Sequence, residues 1–314
     1  MYLVCGEALF DFFSENSASG QASTVNYKAI AGGSPFNVAV GLRRLGVDSA
    51  LFAGLSTDYL GRRLQQVLAE EGVRADYLLD FDAPTTLAMV AVGANGSPHY
   101  SFRGEGCADR QLTLAHLPEL SDEVRGLHIG SYSLVVQPIA DTLLALVRRE
   151  SGKRLISLDP NVRLNPEPNI ELWRSRIAEL MKYADLIKVS DEDLSLLYPG
   201  REPQSVIDGW LEHRCQLVFL TRGGQGATVF SRRHGSWSAP ASKVIIADTV
   251  GAGDTFQAAL ITWLTEQQLD SVDGLQRLSR EQIDTMLRFA ISAAALTCRK
   301  TGPDLPYRHQ LETH

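Results

Sequence analysis

The stretch richest in chemistry is Asp248-Thr249-Val250-Gly251-Ala252-Gly253-Asp254-Thr255-Phe256. Phe256, Leu260, Trp263 and Leu264 follow at helical spacing, so the glycines form a turn and Asp254 sits at a helix mouth. Upstream, Val244, Ile245 and Ile246 read as a strand, within about 243–247. First-turn N–H groups have no intrahelical acceptor, and the helix dipole favours negative charge there. Gly251 and Gly253 let backbone approach a ligand closely. The product is an anion site with a carboxylate beside it. An aspartate repels the anion that its neighbouring N–H groups attract. The pairing makes chemical sense where a phosphoryl group is transferred: the N–H groups hold transition-state charge and the carboxylate takes a proton from the attacking hydroxyl. The competing reading is a plain helix cap and turn, and a short glycine motif alone does not separate the two.

Gly32-Gly33-Ser34-Pro35-Phe36-Asn37 is a second glycine turn. Ser34 reads as an N-cap and Pro35 as the first helical residue, with the helix running through Phe36, Val40, Leu42 and Leu45 to Gly46. Asn37 then lies in the first turn, as a ligand contact or a surface residue. Asp11, between Phe10 and Phe12, must face water or have a partner. Asp159, Ser190, Thr221 and Asp254 all read as lying just past strand ends.

The elements that position these groups alternate. Strands are expected at 2–5, 50–54, 127–130, 155–159, 186–189, 217–220, 227–231 and 243–247, and helices at 58–71, 137–150, 169–183, 203–213, 253–267 and 280–298. This pattern predicts an α/β fold with a central, mostly parallel sheet covered by helices on both faces, with ligands at the carboxyl ends of the strands. Residues 87–93 and 98–102 alternate around Ala94-Asn95-Gly96-Ser97, a hairpin signal. With residues 23–30 they are expected to form a small antiparallel β lid, and 14–23 reads as a loop.

With 44% hydrophobic and 21% charged residues, the composition is that of an ordinary soluble protein. The net charge of −7 comes without a basic block, which argues against a nucleic-acid surface. Cys5, Cys107, Cys215 and Cys298 are scattered and suit a reducing cytoplasm. No basic leader and no apolar run of bilayer length is visible, so neither a signal peptide nor a membrane span is expected. A P-loop, a dinucleotide fingerprint, a Gly-x-Ser-x-Gly elbow and a His-Glu-x-x-His site are all absent.

The chain resembles the ribokinase-like (PfkB-type) carbohydrate kinases over nearly its full length. The carrying residues are Asp248 to Phe256 together with Gly32-Gly33-Ser34-Pro35-Phe36-Asn37-Val38-Ala39 and Leu45-Gly46. The resemblance implies one kinase domain over 1–314, with a lid from about 12–31 and 86–107. It makes Asp254 the catalytic base and the N–H groups of Gly251, Ala252 and Gly253 the anion hole. Asp11, Gly32, Gly33 and Asn37 would hold the sugar, with Arg103 reaching in from the lid and Arg163 beside them. Lys188, Ser190, Thr221, Gly223, Gly226 and Gly253 would line the ATP site. Ser190 and Asp193 replace the Asn and Glu with which the family often organises Mg2+ through water, and Asp193 keeps a carboxylate. Asp248 would lie near a monovalent-cation (K+) site in members that have one. A lid-to-lid homodimer is implied, with no nucleic-acid or membrane partner.

Gly6-Glu7-Ala8-Leu9-Phe10-Asp11 and Asp159-Pro160-Asn161-Val162-Arg163 look like those of bacterial fructokinases, while Asp-Pro-Asn-x-Arg is shared with 2-keto-3-deoxygluconate kinases. A carboxylate-bearing substrate prefers arginines, whereas a neutral hexose prefers an acceptor such as Asp11, which favours fructose. Arg163 has the alternative of an ion pair with Asp159 or Glu167. Another small-molecule kinase of this type, or a catalytically silent sugar-binding regulator, are the competing functions.

Overall fold

A computed structural model describes residues 1–15, 23–92 and 98–311. The proposed hairpin turn at 94–97 and most of the loop at 14–23 lie outside these residues. The strands are β1 (Tyr2–Cys5), β2 (Leu9–Glu15), β3 (Asn26–Gly32), β4 (Ser49–Ser56), β5 (Leu78–Phe81), β6 (Leu87–Val92), β7 (Pro98–Arg103), β8 (Gly126–Gly130), β9 (Leu155–Asp159), β10 (Leu186–Ser190), β11 (Leu217–Thr221), β12 (Ala227–Ser231) and β13 (Gly235–Ala239). The helices are α1 (Ser34–Arg44), α2 (Tyr59–Glu70), α3 (Ile139–Glu150), α4 (Ile170–Leu180), α5 (Asp191–Leu197), α6 (Pro203–Leu211), α7 (Ala252–Glu266), α8 (Val272–Arg277) and α9 (Arg280–Thr297).

The large sheet has the order β13-β12-β11-β10-β9-β8-β1-β4-β5. It is parallel from β11 through β5, and β12 and β13 run antiparallel at one edge. Successive strand residues point to opposite faces. Tyr2, Val4, Leu51, Leu155, Leu186, Leu217 and Phe219 meet α1, α2, α7 and α9 on one face. Leu3, Cys5, Phe52, Leu127, Ile156, Ile187, Val218 and Leu220 meet α3, α4 and α6 on the other. This two-sided burial is why the strands read as continuous apolar runs. The order reverses between β1 and β8, which opens a crevice at their carboxyl ends.

The small sheet has the order β3-β2-β6-β7. Its antiparallel pairs, β2–β3 and β6–β7, meet through a parallel β2–β6 contact. Asp11 lies within β2, so the segment between the first strand and the loop is itself a lid strand that sequence patterning did not separate. Helix starts follow capping chemistry. Asp58 accepts from Gly61 N–H to open α2, and Ser190 accepts from Asp193 N–H to open α5. Among the described residues no helix is long and apolar enough to cross a membrane.

Two expectations are corrected. Residues 243–247 are not a strand: Ile245 and Ile246 are 92% and 59% exposed. Once β13 has taken the sheet edge, the backbone donors of this segment turn elsewhere, with Ala247 N–H (2.8 Å) and Asp248 N–H (3.3 Å) both reaching Cys298 O. Ser34 is not a cap. Gly33, at φ +104°, takes that position and Ser34 begins α1, which frees its hydroxyl for the site.

Phe219 is fully buried and meets Phe256 of α7 edge to face, with ring centroids 6.1 Å apart. Phe219→Ala is expected to lower unfolding free energy by about 3–5 kcal/mol, read from a urea titration followed by circular dichroism. A loss under ~1 kcal/mol would mean α7 does not seat on β11 as described.

Candidate active site

Asp254 lies in the first turn of α7 and is buried. Ser34 Oγ donates to its Oδ1 at 2.6 Å and Asn37 Nδ2 to its Oδ2 at 2.8 Å. Both donors come from the first turn of α1, more than 200 residues away in the chain. The second glycine turn therefore aims two donors at the carboxylate of the first. Burial raises the Asp254 pKa, while the bonds from Ser34 and Asn37 and the charges of Lys188 and Arg163 act against that rise. Burial thus makes the group a stronger base, and its donors and neighbouring cations favour the charged form.

The turn that precedes it is left-handed at Gly251 (φ +79°). Ala252 N–H donates back to Thr249 O at 3.2 Å, so of the three expected anion-hole donors this one already closes the turn. Gly253 N–H lies in the first helical turn, beyond reach of an intrahelical carbonyl. A Cβ at residue 253 would stand 2.9 Å from Lys188 Nζ, so a glycine there lets the ammonium come up beneath the turn.

Lys188 and Asp159 lie on adjacent strands, on the face that α7 covers. Their Nζ–Oδ2 distance is 2.8 Å, and both are buried. Burial pulls the Lys188 pKa down, but the carboxylates of Asp159, Asp193 and Asp254 carry it above its ordinary value. Burial pushes Asp159 up to about 6, with Lys188 opposing. At neutral pH the pair is charged. Asp159 Oδ1 has no partner among the described residues, a buried acceptor at the head of β9. Asp193, in the first turn of α5, accepts Val162 N–H at 2.9 Å and is also buried.

Asp11 stands near Asp254. Burial, and then the charge of Asp254, raise it to about 6, with Arg163 acting the other way. A Cβ at Gly32 would lie 2.5 Å from Asp11 Oδ2, so a bare backbone flanks this carboxylate. Gly33 is equally confined: a Cβ would lie 2.9 Å from Glu7 O. Arg163 is exposed and donates to Val162 O at 2.9 Å. The alternative ion pairs are not formed, since Asp159 is engaged by Lys188 and Glu167 accepts Asn169 N–H. Arg103 is exposed at the end of β7.

Thr221 ends β11, with its hydroxyl 3.4 Å from Val189 O. Gly223 (φ +47°) and Gly226 (φ +94°) bracket the turn that follows, which Arg222 N–H closes onto Gly226 O at 2.8 Å. Ser190 ends the neighbouring β10. Asp248 does not point an unpartnered carboxylate outward. Its Oδ1 accepts Thr249 N–H (2.7 Å) and Val250 N–H (3.1 Å), and its Oδ2 accepts Gly302 N–H (2.8 Å). Among the described residues no cluster of three or more His, Cys, Asp or Glu could hold a metal unaided.

A buried carboxylate, a glycine turn at a helix N-terminus and a second acid at one crevice suit transfer to a hydroxyl. The sequence matches the description "pfkB family carbohydrate kinase" across residues 2–310. The chain belongs to the pfkB family of carbohydrate kinases. It is 36% identical over 279 residues to a fructokinase of Rhizobium leguminosarum bv. trifolii, covering 87% of this chain and 84% of that one. It superposes on an ATP-bound fructokinase from Xylella fastidiosa with a TM-score of 0.88 at 27% identity, covering 99% and 97% of the two chains. A double mutant of a Vibrio cholerae fructokinase with fructose, ADP and a potassium ion bound gives a TM-score of 0.83 at 26% identity, again covering 99% and 97%. The chain is thus a phosphotransferase of α/β, ribokinase-like fold, as its two glycine turns imply.

Sequence reasoning missed Ser34 as a partner of Asp254 because Ser before Pro looks like a cap. The glycine before it was the available signal. It also missed the Lys188–Asp159 pair, for which the signal was a charged residue in each of two otherwise apolar strands.

The shift on Asp11 has a kinetic consequence. An ionised carboxylate can accept hydrogen bonds from hydroxyls, and protonation below about pH 6 removes that capacity. Turnover per sugar encounter, kcat/KM, is expected to fall about tenfold per pH unit below this point. Asp11→Asn should lower kcat/KM and abolish this limb. An unchanged limb in that variant would assign it to another group.

Proposed function

We propose that this protein is an ATP-dependent fructokinase that phosphorylates the C6 hydroxyl of D-fructose. The observation that carries the reading is Asp254, buried and doubly bonded by α1, directly behind the Gly251–Gly253 turn. The fructokinase relatives support the choice of sugar.

Fructose binds between the large sheet and the small sheet, which acts as a lid. Asp11 and Asn37 take sugar hydroxyls, and the bare backbone at Gly32 and Gly33 lets the ring approach. Arg163 and Arg103 close the polar rim. The C6 hydroxyl faces Asp254, which accepts its proton as the oxygen attacks the γ-phosphorus in line. Ser34 and Asn37 hold the carboxylate in orientation, leaving its remaining lone pairs for the substrate. The γ-phosphoryl group meets the N–H groups of the glycine turn, with Lys188 beneath it. ATP lies along Ser190, Thr221, Gly223 and Gly226. Lid closure excludes water, which limits wasteful hydrolysis.

The acceptors present fit a hydrated Mg2+. The ion is commonly bound by one or two carboxylates plus substrate phosphates, and Asp193 with the unpartnered Asp159 Oδ1 meets that description. When bound, it neutralises charge on the transferring phosphates. Asp248 has three of about four lone-pair sites filled by N–H groups, so its carboxylate would contribute little to holding a monovalent cation there. The cytoplasm as location and a lid-to-lid homodimer complete the reading. The exposed Val25, just ahead of β3, and Tyr27 on that strand are the residues such a dimer would cover.

The test is coupled ADP release across fructose, 2-keto-3-deoxygluconate, ribose and adenosine. Fructose is expected to give the highest kcat/KM, and preference for another acceptor overturns the substrate. Asp254→Asn is expected to cut kcat by roughly two orders of magnitude with KM little changed. Near-normal turnover would remove Asp254 as the base.

A further inference from the structure

Residues 300–305 follow α9 and form neither strand nor helix. They nevertheless touch both halves of the site. Gly302 N–H donates to Asp248 Oδ2 at 2.8 Å. Pro303 backs the left-handed turn: a Cβ at Gly251 would stand 2.9 Å from Pro303 Cβ and 3.0 Å from its Cα. On the other side, a Cβ at Gly302 (φ +75°) would lie 3.3 Å from Ile30 Cδ1. Ile30 is the residue paired with Asp11 in the β2–β3 ladder. One short segment therefore packs against the glycine turn ahead of Asp254 and against the strand opposite Asp11.

What holds the segment is Arg44, in the last turn of α1. Its Nη1 donates to Asp304 Oδ1 at 2.9 Å and to Leu305 O at 2.7 Å. Its Nε and Nη2 bond Glu71 at 2.9 and 2.5 Å, and its guanidinium lies 4.8 Å from the Tyr307 ring centroid. Lys300 Nζ takes the other Asp304 oxygen at 2.7 Å. Leu305 is buried against Gly41 of α1, where a Cβ would stand 2.5 Å from its Cδ2. The planar fork of arginine suits such multi-point fixing. The same helix carries Ser34 and Asn37 at its other end, so α1 grips the base directly and the turn in front of the base through this segment.

We propose that residues 300–305 are a strap that sets the Gly251–Gly253 turn against Asp254, with Arg44 and Asp304 as positioning residues. They act through Gly302–Asp248 and Pro303–Gly251 and touch no substrate. Loosening the strap displaces the phosphoryl-holding donors without removing any sugar or ATP contact. The loss falls on kcat, because small misplacements of reacting groups cost rate steeply. This inference rests on the phosphoryl-transfer reading of the site, though not on the identity of the sugar.

The substrate panel on the unmodified protein first establishes the acceptor. On that acceptor, Asp304→Ala is expected to lower kcat roughly tenfold with both KM values within about twofold. Asp304→Glu, which keeps a carboxylate for Arg44, should recover most of the loss. Rates are referred to folded protein by thermal melting in the same buffer. Amide hydrogen exchange supplies a readout apart from activity: residues 249–254 should exchange faster in Asp304→Ala than in the unmodified protein, while α3 and α4 are unaltered. Unchanged kcat, or a loss fully accounted for by unfolded protein, overturns the strap. An unmodified protein that phosphorylates none of the acceptors overturns the kinase reading instead, and the exchange comparison then decides the strap alone.

Discussion

The constraint on which the structure depends is electrostatic. A carboxylate must lie out of water beside a turn that gathers negative charge. Asp254 alone in that place would protonate or push its turn apart, because burying an unpaired charge is costly. The protein answers with neutral donors from α1, Ser34 and Asn37, and with a full positive charge at Lys188. Lys188 is itself kept charged by Asp159. The active site is thus a chain of compensations in which each buried charge is tolerable because of the next.

That chain dictates the architecture around it. Lys188 and Asp159 reach α7 because they sit on the face of β10 and β9 that α7 covers, in an alternation that otherwise delivers leucines. Glycine at 253 is the steric counterpart, since a side chain would collide with the ammonium. Asp11 enters from the small sheet, where burial first and then the charge of Asp254 raise its pKa. The parallel sheet supplies rigid strand ends, and the small sheet supplies the cover.

Much of this was legible from residue order. Apolar runs bounded by turn residues located most strands of the large sheet, because two-sided burial leaves few polar positions. The glycine turns located the site, because left-handed backbone at Gly251 and close approach at Gly33 exclude other residues. Less legible were β2, whose lid role depends on pairing with β3 and β6, and Asp248, whose carboxylate is consumed by backbone donors from Gly302 and its own turn.

Local rules, then, were enough for the class of fold and the family, and they placed Asp254 at the head of a helix behind a glycine turn, because periodicity and glycine conformation act within a few residues. Tertiary structure decided the rest. Val244, Ile245 and Ile246 have strand propensity but no strand to pair with, since the adjacent backbone bonds to the end of α9 instead. Ser34 has capping chemistry, but Gly33 takes the cap and the hydroxyl serves Asp254 across the crevice. Which carboxylate takes donors from α1, which pairs with lysine and which ties loops together is settled by neighbours far apart in sequence. Charge compensation acts through space, and residue order alone does not record it.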